Sequence, residues 1–193
     1  MLRRLYDWTM GLAAHRHALA ALAVVSFAES SVFPIPPDVL LIPMILAARE
    51  RAWLIATVCT VASVVGGVAG YGIGALLFDT VGRPIVELYG YMDRFHEFQG
   101  RYEEWGAWIV AGAGFTPFPY KVITITSGVM DLDFWVFMVA SVLSRGARFF
   151  LVALLLWHFG PPIRSFIERY LPQLTILFFL LLFGGFVVAR YLI

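Results

Sequence analysis

The chain has 193 residues, 61% of them hydrophobic and 14% charged, with a formal net charge of +1 and a mean hydropathy of +0.82. Soluble domains carry about a quarter charged residues, so this composition excludes an ordinary water-soluble fold and describes one integral membrane domain of about five or six hydrophobic elements, each span consuming roughly 20 residues. No basic run suits nucleic acid, and Cys59, the single cysteine, excludes an internal disulfide or a Cys-rich metal site.

Residues 1–16 are basic and, with the apolar stretch 18–27, imitate a secretory signal. Glu29 and the proline break that follows belong to a repeat described below, so this N-terminus is expected to be retained. The first element, 17–32, is an apolar helix of marginal spanning length. Pro34, Pro36 and Pro37 break it. The next apolar stretch, 38–48, reaches only about 15 to 17 Å as a helix, roughly half the hydrocarbon thickness, and is expected to turn back or stop midway. Arg49-Glu50-Arg51 marks an aqueous surface. Residues 53–78 are long enough for a first full crossing, and Gly66, Gly70 and Gly74 at spacing four permit close helix packing.

From 79 to 104 the chain is polar, yet Ile85, Leu88, Tyr89, Met92, Phe95, Phe98, Tyr102 and Trp105 recur every three or four residues, which predicts one amphipathic helix at the membrane interface. A second short apolar segment, 106–115, ends at a second break, Pro117 and Pro119. Residues 122–130 return, Asp131 and Asp133 mark a surface, and 134–158 make the second crossing. A C-terminal helix over 171–191 closes the bundle.

The two halves match. Pro34 corresponds to Pro117, Pro36 to Pro119 and Asp38 to Lys121; the 25 residues from Val61 share 11 identities with the 25 from Val139, including Gly82/Gly160 and Pro84/Pro162. Interrupted hydrophobic segments in corresponding places of two halves point to a transporter-like site near the membrane midplane. The expected fold is therefore an all-α polytopic membrane protein of one domain: repeat one over about 17–85, repeat two over about 105–163, and the extra C-terminal helix. Each repeat holds a proline-broken re-entrant hairpin and a single crossing, which inverts the second copy. Arg3, Arg4, Arg16, Arg49, Arg51, Arg164 and Arg169 then share one side, against Arg83, Arg94, Arg101 and Arg190, and the positive-inside rule makes the first side cytoplasmic. If 17–32 crosses fully, the sidedness of every later element flips.

Five ionisable residues remain inside apolar sequence: Glu29, Asp38, Lys121, Arg145 and Arg148. Each costs about 2.5 to 3.5 kcal/mol on insertion scales, so they are expected to face one another or a wet cavity. Arg145 and Arg148, three apart, share a helix face, and their counterparts in the first repeat are Gly67 and Gly70. The plain reading is a set of structural ion pairs, Asp38 with Lys121 and Glu29 with an arginine. Against it, three cations face two anions, and a desolvated surplus cation favours an anionic ligand. Arginine suits phosphate through paired charge-assisted bonds. Lys121, Arg145 and Arg148 are the candidate substrate-binding residues, and Glu29 and Asp38 the candidate proton-coupling residues. Burial and a neighbouring cation act on such carboxylates in opposite senses.

Other features carry less. The glycine run from Gly66 lacks the strand context of a dinucleotide loop; Gly66, Gly67, Gly70 and Gly74 are assigned to helix packing. His15, His17, His96 and His158 are scattered with no metal spacing, and no histidine is placed to form a triad with Ser30, Ser31 or Ser144. No cofactor, metal or covalent chemistry is expected.

Glu29 with FPIPPD from Phe33, GYGIG from Gly70, TPFPYK from Thr116 with Gly128 downstream, and SRGARFF from Ser144 resemble the DedA family, bacterial membrane proteins sharing the SNARE-associated or VTT domain, and most of all its YqaA-like subgroup. The resemblance covers about residues 20–160. It implies two inverted re-entrant elements packed with crossing helices, in a multi-pass protein of the bacterial inner membrane. It also implies movement of lipids between leaflets, including undecaprenyl phosphate or phospholipids, dependent on the proton motive force. The family's acidic pair carries over to Glu29 and Asp38 and its arginines to Arg145 and Arg148. The expected function is flipping or scrambling of an anionic lipid whose phosphate headgroup meets these cations. A proton- or ion-coupled small-solute transporter and a structural membrane assembly factor are the alternatives.

Overall fold

The computed structural model describes residues 17–33, 36–116 and 119–160, and they are helical apart from short connections. Helix α1 is Ala18–Ser31 and α2 is Asp38–Ala47. A 3₁₀ turn, Arg49–Arg51, leads into α3, Ala52–Leu77. A π-helical turn, Phe78–Gly82, continues α3 into the short α4, Arg83–Leu88. Then follow α5, Met92–Phe115, α6, Tyr120–Val129, and α7, Phe134–Gly160. The expected C-terminal helix over 171–191 lies outside the described residues, as do Pro34 and Pro117.

Both proline motifs interrupt helix where expected: α1 stops at Ser31 and α2 starts after Pro37, while α5 stops at Phe115 and α6 starts after Pro119. At 14 and 10 residues, α1 and α2 reach about 21 and 15 Å, short of a hydrocarbon core of about 30 Å. The helices Arg49–Leu88 and Phe134–Gly160 are long and apolar enough to cross. Only 39% of the apolar window of α7 is buried, and Trp135, Leu143, Leu76 and Trp108 stand outward. An apolar outer surface of this extent belongs in lipid rather than water.

The amphipathic stretch differs from expectation. Instead of one helix over 79–104 followed by a separate apolar segment, the break falls at Gly90, and α5 runs unbroken from polar Met92–Glu104 sequence into the apolar Gly106–Phe115 stretch. Gly90 takes φ +68°, and the amides of Gly90 and Tyr91 return to the carbonyls of Glu87 and Val86, a Schellman end that a glycine in this left-handed position permits. Gly100 and Gly106, by contrast, are only weak helix formers and leave α5 intact. The same closure ends α6, where Asp131, φ 54°, occupies the left-handed position and Leu132 N–H donates to the Ser127 carbonyl at 3.0 Å.

The spans α3 and α7 lie antiparallel: Trp53 at the start of α3 packs on Phe150 and Trp157, while Tyr71 near its end packs on Phe134 and Phe137. Two hydrophobic clusters result. One gathers Leu22, Leu41, Ile45, Ile55 and Phe149 from α1, α2, α3 and α7; the other gathers Tyr102, Val110, Tyr120 and Phe137 from α5, α6 and α7. Helix α3 is flanked by α1 and α6, and its small-residue stripe sets both distances. A Cβ on Gly66 would overlap the Phe27 backbone of α1, and one on Gly74 would overlap the Ile125 backbone of α6. Gly70, between them, lies against Ser30 and Thr124.

The stripe predicts a sharp contrast. Gly74→Leu forces α3 and α6 apart and is expected to lower the melting temperature of the detergent-purified protein by several degrees. Gly72→Ala, where the new methyl group meets open space, leaves it unchanged within error.

Candidate functional site

Where the two clusters meet, the core is polar. Arg145 on α7 is 1% exposed and is among the largest fully buried side chains. Its Nη2 donates to Glu29 Oε2 of α1 at 2.7 Å, and its Nε donates to Ser63 Oγ of α3 at 2.6 Å. The rings of Tyr120 on α6 and Phe149 on α7 lie 4.8 and 4.6 Å from its guanidinium carbon, so the cation is held by ring faces as well as by oxygen. The Tyr120 hydroxyl donates to Ser141 Oγ at 2.5 Å.

Around Glu29 the hydroxyls are close-set. Ser30 Oγ donates to Glu29 Oε2 at 3.1 Å and lies 2.7 Å from Ser63 Oγ, while Ser26 Oγ donates to the Cys59 carbonyl at 2.7 Å. Thr124 Oγ1 donates to the Ser30 carbonyl at 3.0 Å, tying α6 to the end of α1. The Ser30 and Ser63 hydroxyls give the largely buried carboxylate and guanidinium neutral partners, which is what burial of charge requires.

Arg148, one turn further along α7, makes a second pair. Its Nη2 donates to Asp38 Oδ2 at 2.5 Å and its Nη1 to the Thr116 carbonyl at 2.8 Å. This pair is more open: the Arg148 and Asp38 side chains are 18% and 21% exposed, against 1% and 11% for Arg145 and Glu29. Lys121 Nζ donates to the Val32 carbonyl at 3.1 Å.

The structure thus brings Glu29 to Arg145 and Asp38 to Arg148. It does not pair Asp38 with Lys121; both carboxylates go to α7, and Lys121 instead takes a carbonyl at the broken end of α1. Nor do the guanidiniums lie against Gly67 and Gly70, their counterparts in the first repeat. Space beside Gly67 is occupied by Thr124, Phe137 and Tyr120 and that beside Gly70 by Thr124 and Ser30, while Arg145 turns toward Ser63, one helical turn before Gly67. Pro36 and Pro119 stand directly beside the restarted helices, with Pro119 in extended conformation as the residue preceding α6. Ser30, Ser63 and Tyr120 were not singled out from sequence as partners of the charges. The available signal was the pairing of Ser26 and Ser30 one turn apart on the face that carries Glu29.

Among the described residues no group of three or more His, Cys, Asp or Glu side chains is placed to hold a metal ion. What the cluster offers is two guanidiniums and an ammonium at the interrupted ends of helices, with one ion pair sealed and one reachable.

Comparison with known proteins places the chain. Residues 35–158 match the VTT domain, a stretch that includes Asp38, Lys121, Arg145 and Arg148 but starts after Glu29. An uncharacterised protein of Haemophilus influenzae is 43% identical over 168 residues, covering 85% of this chain and 87% of the relative. An uncharacterised protein of Histophilus somni is 42% identical over 168 residues with the same coverage of 85% and 87%. No solved structure matches.

The sealed pair predicts a coupled stability defect. Arg145→Ala leaves the Glu29 carboxylate buried without its counter-charge and is expected to cost about 3 to 5 kcal/mol, measured as loss of folded protein on heating in detergent. Glu29→Leu combined with Arg145→Met removes both charges at once and recovers most of that loss. Additive defects would show that the two residues do not act as a pair.

Proposed function

This chain belongs to the VTT-domain family, the domain of the DedA membrane proteins, and from that premise we propose that it moves an anionic lipid between the leaflets of the bacterial inner membrane. The observation that carries this reading is the unequal division of the buried charge. The inner pair, Glu29 with Arg145, is largely enclosed and further hydrogen-bonded to Ser30 and Ser63; the outer group, Asp38, Arg148 and Lys121, is partly open. In this reading Arg145 sets the geometry, and Arg148 and Lys121 receive a phosphate.

The chemistry supports that assignment. Arg148 and Lys121 each donate to a carbonyl at the end of a broken helix, Thr116 and Val32, and an anionic oxygen is a stronger partner than a neutral carbonyl. A phosphate entering between the two breaks replaces neutral acceptors with charged ones and competes with Asp38 for Arg148. Asp38, displaced from its cation, becomes the group that can accept a proton, and that exchange links headgroup binding to the proton gradient. The helix pairs α1/α2 and α5/α6 act as re-entrant hairpins meeting midway, with α3 and α7 as the crossings. The ligand's acyl or prenyl chains stay in lipid along the apolar outer face, so only the headgroup has to be accommodated by the protein.

A structural assembly role draws on the same observation that both carboxylates are paired. It differs in one respect, since a purely structural outer pair tolerates replacement of Lys121 once the protein has inserted.

The test is reconstitution of the purified chain in liposomes with fluorescent lipids, comparing a polyprenyl phosphate with ordinary phospholipids, with and without a pH gradient. Lipid phosphate is expected to change leaflets only with protein present, and Lys121→Gln and Arg148→Gln to slow it at least tenfold while leaving insertion intact. Movement of a solute without movement of lipid, or full activity of both variants, would reject the assignment.

A further inference from the structure

Helices α5 and α7 are drawn together at two glycines. A Cβ on Gly106 would overlap the Leu132 side chain just ahead of α7, and one on Gly114 would overlap the Ser144 side chain. Between these contacts the outer side of the seam is a groove of about 490 Å³, lined only by Ala, Val, Leu and Trp. Ala107, Ala111 and Ala140 make its low floor, while Trp108, Trp135 and Leu143 rise as walls and stand largely outside the core.

The first half of the chain shows that helix packing does not require these walls. There α1 and α3 form the corresponding seam and pack closely, with Gly66 against the Phe27 backbone. Thr57 and Val65 take the places of Trp135 and Leu143, and a valine takes that of Trp108: Val24 when the helix ends are aligned, Val25 when the prolines are. Tryptophan does gather at membrane interfaces, but an interfacial belt needs no trough of alanines between its rings.

On a lipid-facing surface an apolar trough takes a hydrocarbon chain, and its position says whose. Along α5, Trp108, Ala111 and Phe115 follow one another at steps of three and four on one face. The next residue, Thr116, offers the carbonyl that Arg148 Nη1 holds. On α7, Leu143 and Arg148 are five residues apart, about 7 to 8 Å. Arg148 lies near the middle of the 27-residue α7, so a phosphate held there is deep in the bilayer and its chain has to leave along the protein. From Leu143 to Trp135 the groove offers a track of about 12 Å, most of the roughly 15 Å of hydrocarbon in one leaflet.

We infer that the α5/α7 groove seats a hydrocarbon chain of the lipid whose phosphate meets Arg148 and Lys121. The inference rests on the phosphate reading above and adds to it an apolar point of recognition. The chain stays on the lipid-facing surface, but in one place on it.

Tryptophan fluorescence tests this without any measurement of transport. Of the six tryptophans, variants of the full chain keep Trp108, Trp135 or Trp157 alone, the others being replaced by phenylalanine; Trp157, near the far end of α7, lies outside the groove. Each is reconstituted in phosphatidylcholine vesicles with increasing fractions of phosphatidic acid or phosphatidylcholine brominated on the acyl chains, which quenches on contact. Quenching of Trp108 and Trp135 is expected to saturate, and to do so at about a tenfold lower fraction of the phosphatidic acid, the margin of one charge-assisted hydrogen bond. Trp157 responds to both lipids alike and in proportion to their amount. Arg148→Gln removes the tenfold margin, and Ala111→Leu, which fills the floor, abolishes saturation without changing the melting temperature. Quenching of Trp108 in simple proportion to either lipid marks an ordinary interfacial tryptophan and overturns the inference. So does no quenching by either lipid, which means that protein covers the groove, and so does a phosphatidic acid preference that survives Arg148→Gln. If the single-tryptophan variants do not fold, the wild type is photolabelled with phosphatidic acid carrying a diazirine on its acyl chain. Adducts are expected within residues 107–111 and 135–143, and adducts confined elsewhere overturn the inference. Saturation at equal fractions of both lipids would reject the phosphate reading and leave the groove as a chain seat; the expected quenching without lipid movement would reject transport alone.

Discussion

The contact between Arg145 and Glu29 is the constraint around which the rest is arranged. Either charge alone in an apolar interior costs several kcal/mol, and the pair is tolerable only when every remaining donor and acceptor is met. Surrounding the pair takes parts from four helices: the carboxylate and Ser30 from α1, Ser63 from α3, Tyr120 beneath the guanidinium from α6, and the arginine itself from α7. Such a pair adds little to net stability compared with a well-packed apolar core, but it penalises every arrangement in which one of those helices is rotated or shifted by a turn. It therefore fixes the register at which the two hydrophobic clusters meet.

Close packing makes that register reachable. Side chains of ordinary size on α3 would hold α1 and α6 too far off for Ser30 and Ser63 to touch. With Gly66 against the Phe27 backbone and Gly74 against the Ile125 backbone, the helices approach until hydroxyls meet at 2.7 Å. The glycine stripe and the polar cluster are thus one device, because a short reach between backbones is what lets serine, with a single side-chain oxygen, bridge two helices. In a membrane, where lipid is as apolar as leucine, small residues and interhelical hydrogen bonds of this kind take over from hydrophobic burial as the source of helix association.

Much of this was legible in the sequence, and the limits have physical causes. The two long apolar runs, the two breaks and the five charges stand out because proline, and charge in hydrocarbon, each carry a large local cost that does not depend on tertiary context. The course of α5 did not stand out, since an amphipathic stretch and an apolar stretch share the 3.6-residue period and only a left-handed residue such as Gly90 separates helices. Nor did the partners of the charges. Arg145 and Arg148 lie on one face, but which carboxylate each meets depends on the level at which α1 and α2 pass α7, and a linear pattern contains no levels. Serines were passed over for a related reason: in apolar helices a hydroxyl commonly bonds its own preceding turn, as Ser31, Thr57 and Thr60 do here, so its presence alone does not announce a bridge.

The surplus of positive charge has a source in the breaks themselves. Ending a helix in a low-dielectric setting leaves carbonyls without intrahelical donors, and each needs one from elsewhere. Lys121 donates to the Val32 carbonyl at the end of α1, Arg148 to the Thr116 carbonyl at the end of α5, and Arg49 to the Trp157 carbonyl near the end of α7. A cation at a helix C-terminus also meets the negative end of the helix dipole. Counting cations against carboxylates alone therefore overstates how much positive charge goes without a partner. It does not abolish it, because a neutral carbonyl balances a hydrogen bond and part of a dipole but not a full charge. The same proline motifs that interrupt the helices thus create the neutral acceptors that hold Lys121 and Arg148 in place, acceptors that the charged oxygens of the proposed phosphate would outcompete.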